Sequence, residues 1–232
     1  MVIDRIAKRF LSAALLLTAS LPLMAGEPDR WLFRVFLDDR EIGYHEFTVT
    51  DREGGQHVQI SAEFDVKFLF INAYSYDHQN RERWAGNCLE KIDALTNDNG
   101  AEHAISGQSS GSGFAVSINR VDTLIDSDCA RTFAYWNPII LESDRLLNSQ
   151  TGEWVDVAIE KRGADLLQIG PNRIPAEKFT IVMKGGPIHL WYSPGTQHWL
   201  ALEAQTEGGR MLRYVPVVLP AKATSTIRLA MD

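Results

Sequence analysis

One stretch of the chain matches a catalytic motif: residues 107–111 have the form G-x-S-x-G. In α/β hydrolases this motif places a nucleophilic serine on a sharp turn between a strand and a helix. Here it is followed by Ser112, Gly113 and the strand-like residues 114–118. The sequence therefore predicts a Gly/Ser-rich hairpin loop at this point and no catalytic serine.

Histidines are the next candidates for chemistry, as metal ligands, and the chain has six: His45, His57, His78, His103, His189 and His198. No two of them have the i, i+4 spacing of a helical metal site or an H-x-H spacing on a strand. His189 and His198 flank the turn at Pro194, but no third ligand accompanies them. We expect ordinary histidines on a sheet surface, with no metal site and no cofactor.

Aromatic residues are the remaining candidates for a binding site. Large rings either fill the interior of a sheet or line the mouth of an apolar cavity. We predict a cavity mouth for an apolar small molecule or a lipid, with core packing as the alternative. The residues assigned to it are Trp84, Phe133, Tyr135, Trp136, Trp191 and Tyr192.

Strands must position these side chains, because apolar and polar residues alternate through much of the chain. The clearest alternation covers residues 58–70, and strands of this kind have one buried and one wet face. Residues 31–37 and 42–50 flank the turn at Asp38 and predict a hairpin. Further strands are predicted at 74–84, 88–96, 114–121, 154–161, 178–183, 188–192, 199–206 and 211–219.

One helix interrupts the predicted strands. Asn137 is a good N-cap, Pro138 suits the first helical position, and the apolar-rich residues 139–148 follow. Short turns between successive strands favour antiparallel pairing. The sequence therefore predicts a mainly β fold: an antiparallel curved sheet, as a half-barrel or barrel, with one short helix packed across it. A sandwich is the alternative.

The first 25 residues have the pattern of a secretory signal peptide. Arg5, Lys8 and Arg9 precede an apolar run at 10–23, and small residues follow at the cleavage point near Ala25. The alternative, a membrane anchor, needs about 20 apolar residues. We expect residues 1–25 to be cleaved and 26–232 to form a single β-rich domain that is periplasmic or secreted and does not span a membrane.

The predicted export bears on the state of the two cysteines. In an oxidising compartment an isolated pair favours one disulfide, here between Cys88 and Cys129. Such a bond would close a loop of about 40 residues and contribute about 3 to 4 kcal/mol. A redox pair is the alternative, but redox cysteines usually lie close together as C-x-x-C.

Composition limits the classes of function. The chain has 232 residues, of which 45% are hydrophobic, and a formal net charge of −7. An acidic balance argues against a nucleic-acid binder, which needs a basic surface. Because no nucleophile–base pair can be placed within reach, the residues favour a non-enzymatic protein.

Several motifs together resemble a family of exported proteobacterial proteins of unknown function. They are I-G-Y-H at 42–45, W-x-G-x-C-L at 84–89, C-x-R-T-F-A-Y-W-N-P at 129–138, L-L-N-x-Q-T-G at 146–152 and W-Y-x-P…W-L-A-L-E at 191–203. Such proteins are similar in layout to the lipoprotein-carrier fold of LolA and LolB, an antiparallel half-barrel around an apolar cavity. That fold has more helix than this sequence predicts, and the resemblance implies no catalytic residues.

Two hypotheses for the function follow. The first is a periplasmic binding or carrier protein for a lipid or another apolar ligand. The second is an envelope structural or protein-interaction module without a ligand cavity, in which an exposed edge strand or apolar patch contacts a protein partner.

Overall fold

The computed structural model describes residues 27–68, 71–206 and 208–223. The predicted signal peptide, residues 1–25, lies outside the described residues. The described part of the chain has fifteen strands, which are β1 (Asp29–Leu37), β2 (Arg40–Arg52), β3 (Gly55–Phe68), β4 (Ile71–Ala85), β5 (Cys88–Asp98), β6 (Ala101–Ser110), β7 (Gly113–Ile118), β8 (Val121–Ile125), β9 (Arg145–Leu147), β10 (Trp154–Asp156), β11 (Ala158–Ile169), β12 (Asn172–Val182), β13 (Ile188–Tyr192), β14 (Trp199–Gln205) and β15 (Met211–Val218).

Thirteen of these strands form one antiparallel sheet. Their order is β11-β12-β13-β14-β15-β1-β2-β3-β4-β5-β6-β7-β8. The pairing of β15 with β1 joins a C-terminal meander to an N-terminal one. Because β8 and β11 remain edges, the curved sheet is open. The predicted mainly β fold with an antiparallel curved sheet is therefore confirmed.

Among the strands of this sheet, the two edge strands β8 and β11 are consecutive along the chain, and residues 126–157 connect them. This connection, the crossing segment, contains a 3-10 helix (Pro138–Glu142) and the small β9–β10 ladder. It packs on one face of the sheet, the inner face. Trp136 packs edge-on against Trp84 of β4, with ring centroids 5.6 Å apart. The hydroxyl of Tyr192 on β13 donates to the Tyr135 carbonyl at 2.9 Å.

The alternation of β3 is as predicted where its side chains are described. Val58, Ile60 and Ala62 are buried on the inner face, whereas Gln59 and Glu63 are exposed. The apolar side chains of neighbouring strands extend this face into the core. Burying one side chain of valine or isoleucine size contributes about 1.5 to 3 kcal/mol, so the register of β3 is strongly fixed.

The helix begins as predicted but is much shorter. The Asn137 side chain accepts a hydrogen bond from the Ile139 amide at 3.1 Å, as an N-cap does. The helix then ends at Glu142 instead of continuing to residue 148. Both Leu146 and Leu147 are fully buried, on opposite sides of β9. A strand between two packed layers can bury both neighbours, so β9 replaces the second half of the predicted helix.

Two further strand boundaries differ from the prediction. The sequence predicts one strand over residues 114–121, but Asn119 and Arg120 both have positive φ and form the turn between β7 and β8. Strand β6 was not predicted, because its ten residues are rich in Ala, Ser and Gly and lack an apolar alternation. It is a strand because β5 and β7 pair with it on both sides.

Candidate functional site

A disulfide fixes the first part of the crossing segment to the sheet. It joins Cys88, at the start of β5, to Cys129, 41 residues later. The adjacent Leu89 amide donates to the Ala130 carbonyl at 2.8 Å. The predicted disulfide is confirmed, and its location shows which element it positions.

A glycine fixes the last part of the crossing segment. Gly152 has a φ of +79°, and its amide donates to the Asn148 carbonyl at 2.8 Å. A Cβ atom at this position would lie 2.5 Å from Cγ1 of Ile118 on β7. Only glycine allows this turn to approach the sheet so closely.

A cleft of about 710 Å³ remains between the inner face and the crossing segment. This volume lies in the range of ligand sites, which is about 300 to 1,000 Å³. One wall is formed by β2, β3 and β4, a second by the crossing segment and a third by the turn between β12 and β13. The lining residues are His45, Phe47, Ile60, His78, Phe133, Tyr135, Asn148, Ser149, Gln150, Glu153, Trp154, Val155, Asp156, Met183, Lys184, Gly185 and Ile188.

Two buried histidines form part of this lining. The strand register places His45 and His78 in one row across the sheet, on either side of Ala62. The sequence predicts surface histidines, and this is wrong for His45 and His78, because the register turns their side chains inward.

Each histidine binds a hydroxyl group through Nδ1. His45 Nδ1 lies 3.0 Å from the Tyr214 hydroxyl, and His78 Nδ1 lies 2.9 Å from Oγ1 of Thr96. Burial lowers the pKa of His45 well below its ordinary value, and the nearby His78 adds to this. Burial also lowers the pKa of His78 to about 4. Both rings are therefore neutral at pH 7.

Two buried ring nitrogens of the lining have no hydrogen-bond partner among the described residues. They are Nε2 of His45 and Nε1 of Trp154. Buried polar atoms are nearly always hydrogen-bonded, and leaving one without a partner costs about 1 to 3 kcal/mol. Such atoms are common at sites that bind a polar group of a ligand.

A buried carboxyl group lies on the same strand as His78 but does not line the cleft. Glu82 accepts hydrogen bonds from Nε1 of Trp84 at 2.8 Å and from Nδ2 of Asn80 at 2.9 Å. Burial raises the pKa of Glu82, and these hydrogen bonds partly oppose that increase. Its partners Trp84 and Asn80 are themselves buried and do not line the cleft.

The six residues predicted at a cavity mouth lie in three places. Phe133 and Tyr135 line the cleft. Three others pack in the main core and do not line it, namely Trp84, Trp136 and Tyr192. Trp191 packs in a separate cluster on the other face, where Lys178 Nζ lies 4.5 Å from its ring centroid. A ligand contact by any of the six stays a prediction.

Local sequence patterns contain little that would mark the two histidines and Trp154 as lining residues. In β4, the inward residues Tyr76, His78, Asn80 and Glu82 alternate with Asp77, Gln79, Arg81 and Arg83. Since both rows are polar, hydrophobic alternation cannot show which of them faces inward. Only pairing with the clearly alternating β3 could have shown it.

Other chemistry is not assembled in the described residues. The G-x-S-x-G residues 107–111 belong to the β6–β7 hairpin, so the strand-to-helix turn of a hydrolase is not formed there. Within residues 27–68, 71–206 and 208–223, no group of three or more His, Cys, Asp or Glu side chains could hold a metal ion. Nor does that part of the chain contain a helix that is long and apolar enough to cross a membrane.

Residues 33–217 match the family described as a domain of unknown function, DUF6134. The chain belongs to this family. A solved structure with a similar fold is the beta-barrel-like protein of domain of unknown function DUF1849 from Brucella abortus. The TM-score is 0.62 at 11% identity, over 83% of this chain and 97% of that chain. At this identity the likeness shows the fold alone. No curated protein matches the sequence.

Proposed function

We propose that this protein binds a small apolar molecule or a lipid chain in the cleft under the crossing segment. The observation that carries the proposal is a cleft of about 710 Å³ in which each of the three walls contributes apolar side chains beside polar ones, some of them buried. Ligand sites typically combine these two features. The apolar part of the lining comes from all three walls and includes Phe47, Ile60, Phe133, Met183 and Ile188.

The crossing segment would serve as the cover of the site. It is fixed at one end by the Cys88–Cys129 disulfide and at the other by the close contact of Gly152 with Ile118. A cover fixed in this way keeps the cleft formed without a ligand, which lowers the entropic cost of binding.

Diphenylhexatriene, a hydrocarbon fluorophore without polar groups, tests this proposal. We expect saturable binding of one molecule per protein chain. The variant Ser149→Trp places a large ring in the cleft lining and should weaken binding at least about tenfold, equivalent to 1.4 kcal/mol. The control Ser109→Trp adds the same ring to the β6–β7 hairpin, away from the cleft, and should bind like the unmodified protein.

The outcomes separate the proposal from its alternative. Absence of saturable binding, or equal loss in both tryptophan variants, would contradict a ligand site in the cleft. In that case the alternative hypothesis, a protein-interaction module without a ligand cavity, would be the better explanation. Edge strand β8, with Val121 and Leu124 exposed, would then be the surface to test for a protein partner.

We also propose that the protein is exported after removal of residues 1–25. The leader pattern and the disulfide support this, because disulfides persist in oxidising compartments. Expression of the full chain in a bacterium followed by intact mass spectrometry tests it. The envelope fraction should contain a chain that begins at Gly26 and lacks two hydrogen atoms. An unprocessed chain confined to the cytoplasm would contradict export.

A further inference from the structure

Two buried ring nitrogens that line the cleft are available for hydrogen bonds to a ligand. His45 is only 7% exposed and lines the cleft, and its Nε2 atom has no partner among the described residues. Trp154 lines the opposite wall, on the crossing segment, and its Nε1 atom is also buried without a partner. An indole nitrogen can only donate a hydrogen bond.

The tautomer of His45 follows from its neighbour. Within the described residues, the Tyr214 hydroxyl is hydrogen-bonded to Nδ1 of His45 and to no other group. If Nδ1 were protonated and donated to this hydroxyl, the hydroxyl hydrogen and Nε2 of His45 would both be buried without a partner. Donation from the hydroxyl to Nδ1 leaves only Nε2 unpaired, so we infer that Nδ1 is the acceptor. In a neutral imidazole the other nitrogen then carries the proton. Nε2 of His45 is therefore an N–H donor.

The same reasoning applies to the second histidine of the row. Nδ1 of His78 lies 2.9 Å from the buried hydroxyl of Thr96. If Nδ1 accepts the hydrogen of this hydroxyl, Nε2 of His78 also carries a proton. The cleft would then offer two imidazole donors on one wall and an indole donor on another.

We propose that the cleft recognises an uncharged oxygen acceptor on an otherwise apolar ligand, such as the carbonyl group of a ketone or an ester. This inference rests on the proposed function, because it assigns the polar end of the same ligand. The carbonyl oxygen would accept hydrogen bonds from His45 or Trp154 and remove the cost of burying these donors unpaired.

A carboxylate fits the cleft less well than a carbonyl group. The histidines on the inner wall are neutral, so that wall offers no cation to a buried anion. The charged lining residues are Glu153, Asp156 and Lys184, all exposed. Two of these three are acidic. Burying a carboxylate without a cation costs far more than burying a neutral oxygen.

Competition against bound diphenylhexatriene measures the preference. The competitors are 2-undecanone, n-undecane and decanoate, which have similar chains and differ in the polar group. We expect 2-undecanone to compete about tenfold more strongly than undecane. This factor corresponds to about 1.4 kcal/mol, which is within the range of one hydrogen bond between uncharged groups. Decanoate should compete less strongly than the ketone at pH 7.

Two variants remove the donors while keeping the shape of the cleft. The double variant His45→Phe/Tyr214→Phe removes both partners of one hydrogen bond, so no buried group is left unpaired by the change. Trp154→Phe removes the indole donor. At least one of the two should reduce the preference for the ketone over undecane by at least about threefold, equivalent to 0.65 kcal/mol, with both competitors measured against the fluorophore bound to the same variant. The control Tyr44→Phe, on the outer face of β2, should keep the full preference.

Each outcome supports or overturns a separate statement. Failure of the unmodified protein to bind diphenylhexatriene would overturn the proposed function. Binding of the fluorophore with equal competition by ketone and undecane would overturn the acceptor site alone. Decanoate as the strongest competitor would replace the uncharged acceptor by an anion. A ketone preference that survives in both variants would place its recognition elsewhere.

Discussion

The inward row of β4 is polar at four successive positions: Tyr76, His78, Asn80 and Glu82. All four are at most 7% exposed, although buried polar groups are costly. Part of the cost is offset by hydrogen bonds to Thr96 and Trp84. The Tyr76 hydroxyl and Asn80 Oδ1 still have no partner among the described residues. A row of this kind lowers stability, and such a loss is common where a site is built.

The low pKa of His78 predicts a pH-dependent stability. Its folded pKa of about 4 lies below the ordinary value of 6.5. As the pH falls below 6.5, the unfolded chain takes up a proton that the folded chain excludes. The contribution of His78 should therefore lower the free energy of unfolding by about 2 kcal/mol between pH 7 and pH 5. Urea denaturation at a series of pH values measures this loss.

The variant His78→Phe/Thr96→Val isolates that contribution, because it removes both partners of the hydrogen bond. Its free energy of unfolding should fall less between pH 7 and pH 5 than that of the unmodified protein. Thr96→Val alone keeps the histidine and should keep the pH dependence. An unchanged pH profile in the double variant would contradict the buried neutral state of His78.

Glu82 affects the pH dependence in the opposite direction. Because its folded pKa is raised, it contributes stability that is lost as the pH rises from 4.5 through that pKa.

At the scale of elements, the crossing segment is what turns the inner face of the sheet into one wall of a cleft. It connects the edge strands β8 and β11, and its contacts reach both meanders. Tyr135 packs against Trp199 of β14, with ring centroids 5.3 Å apart, while Trp136 packs against Trp84 of β4. Loss of these contacts would expose the aromatic core and open the cleft.

Removal of the disulfide should weaken this cover. The variant Cys88→Ser/Cys129→Ser releases a loop of 41 residues and should lower the free energy of unfolding by about 4 kcal/mol. Hydrogen exchange of the Leu89 amide, which donates to Ala130, should become faster. Urea denaturation and exchange measured by mass spectrometry check both effects. The unmodified protein in a reducing agent is the matched control, and an unchanged free energy there would contradict the stabilising role.

The two edge strands of the sheet differ in the features that limit pairing with another chain. Strand β11 carries exposed Glu160, Lys161 and Arg162 and bends at a bulge near Gly163, features that discourage pairing with another chain. Strand β8 has only five residues and exposes Val121 and Leu124. Its short length limits the number of hydrogen bonds it offers to a further strand.

At the scale of the whole molecule, the order of the strands along the chain sets the order of the strands in the open sheet. The first described strand lies at the centre of the sheet, next to the last one, so both meanders grow outward from the β15–β1 pair. The chain therefore has to cross from one edge to the other in its middle. That requirement makes residues 126–157 a cover for the inner face.

The elements with clear signals could be predicted from the sequence. Alternation in residues 58–66, the hairpin turn at Asp38 and the isolated pair Cys88 and Cys129 depend on local pattern or on counting. The N-cap Asn137 was also predictable, since capping involves the next two residues. The length of the helix was not, because tertiary pairing of β9 with β10 outweighs the helical propensity of residues 143–148.

By itself, the sequence determined the fold class, the disulfide pairing and most of the strands, because apolar alternation and turn residues act over a few neighbours. The tertiary structure decided the strand order, the path of the crossing segment and the residues that line the cleft. His45, His78 and Trp154 are far apart in sequence, and their environment depends on register and on a cover 50 or more residues away from β3. Burial and hydrogen bonding of polar side chains depend on such long-range neighbours, which local patterns do not contain.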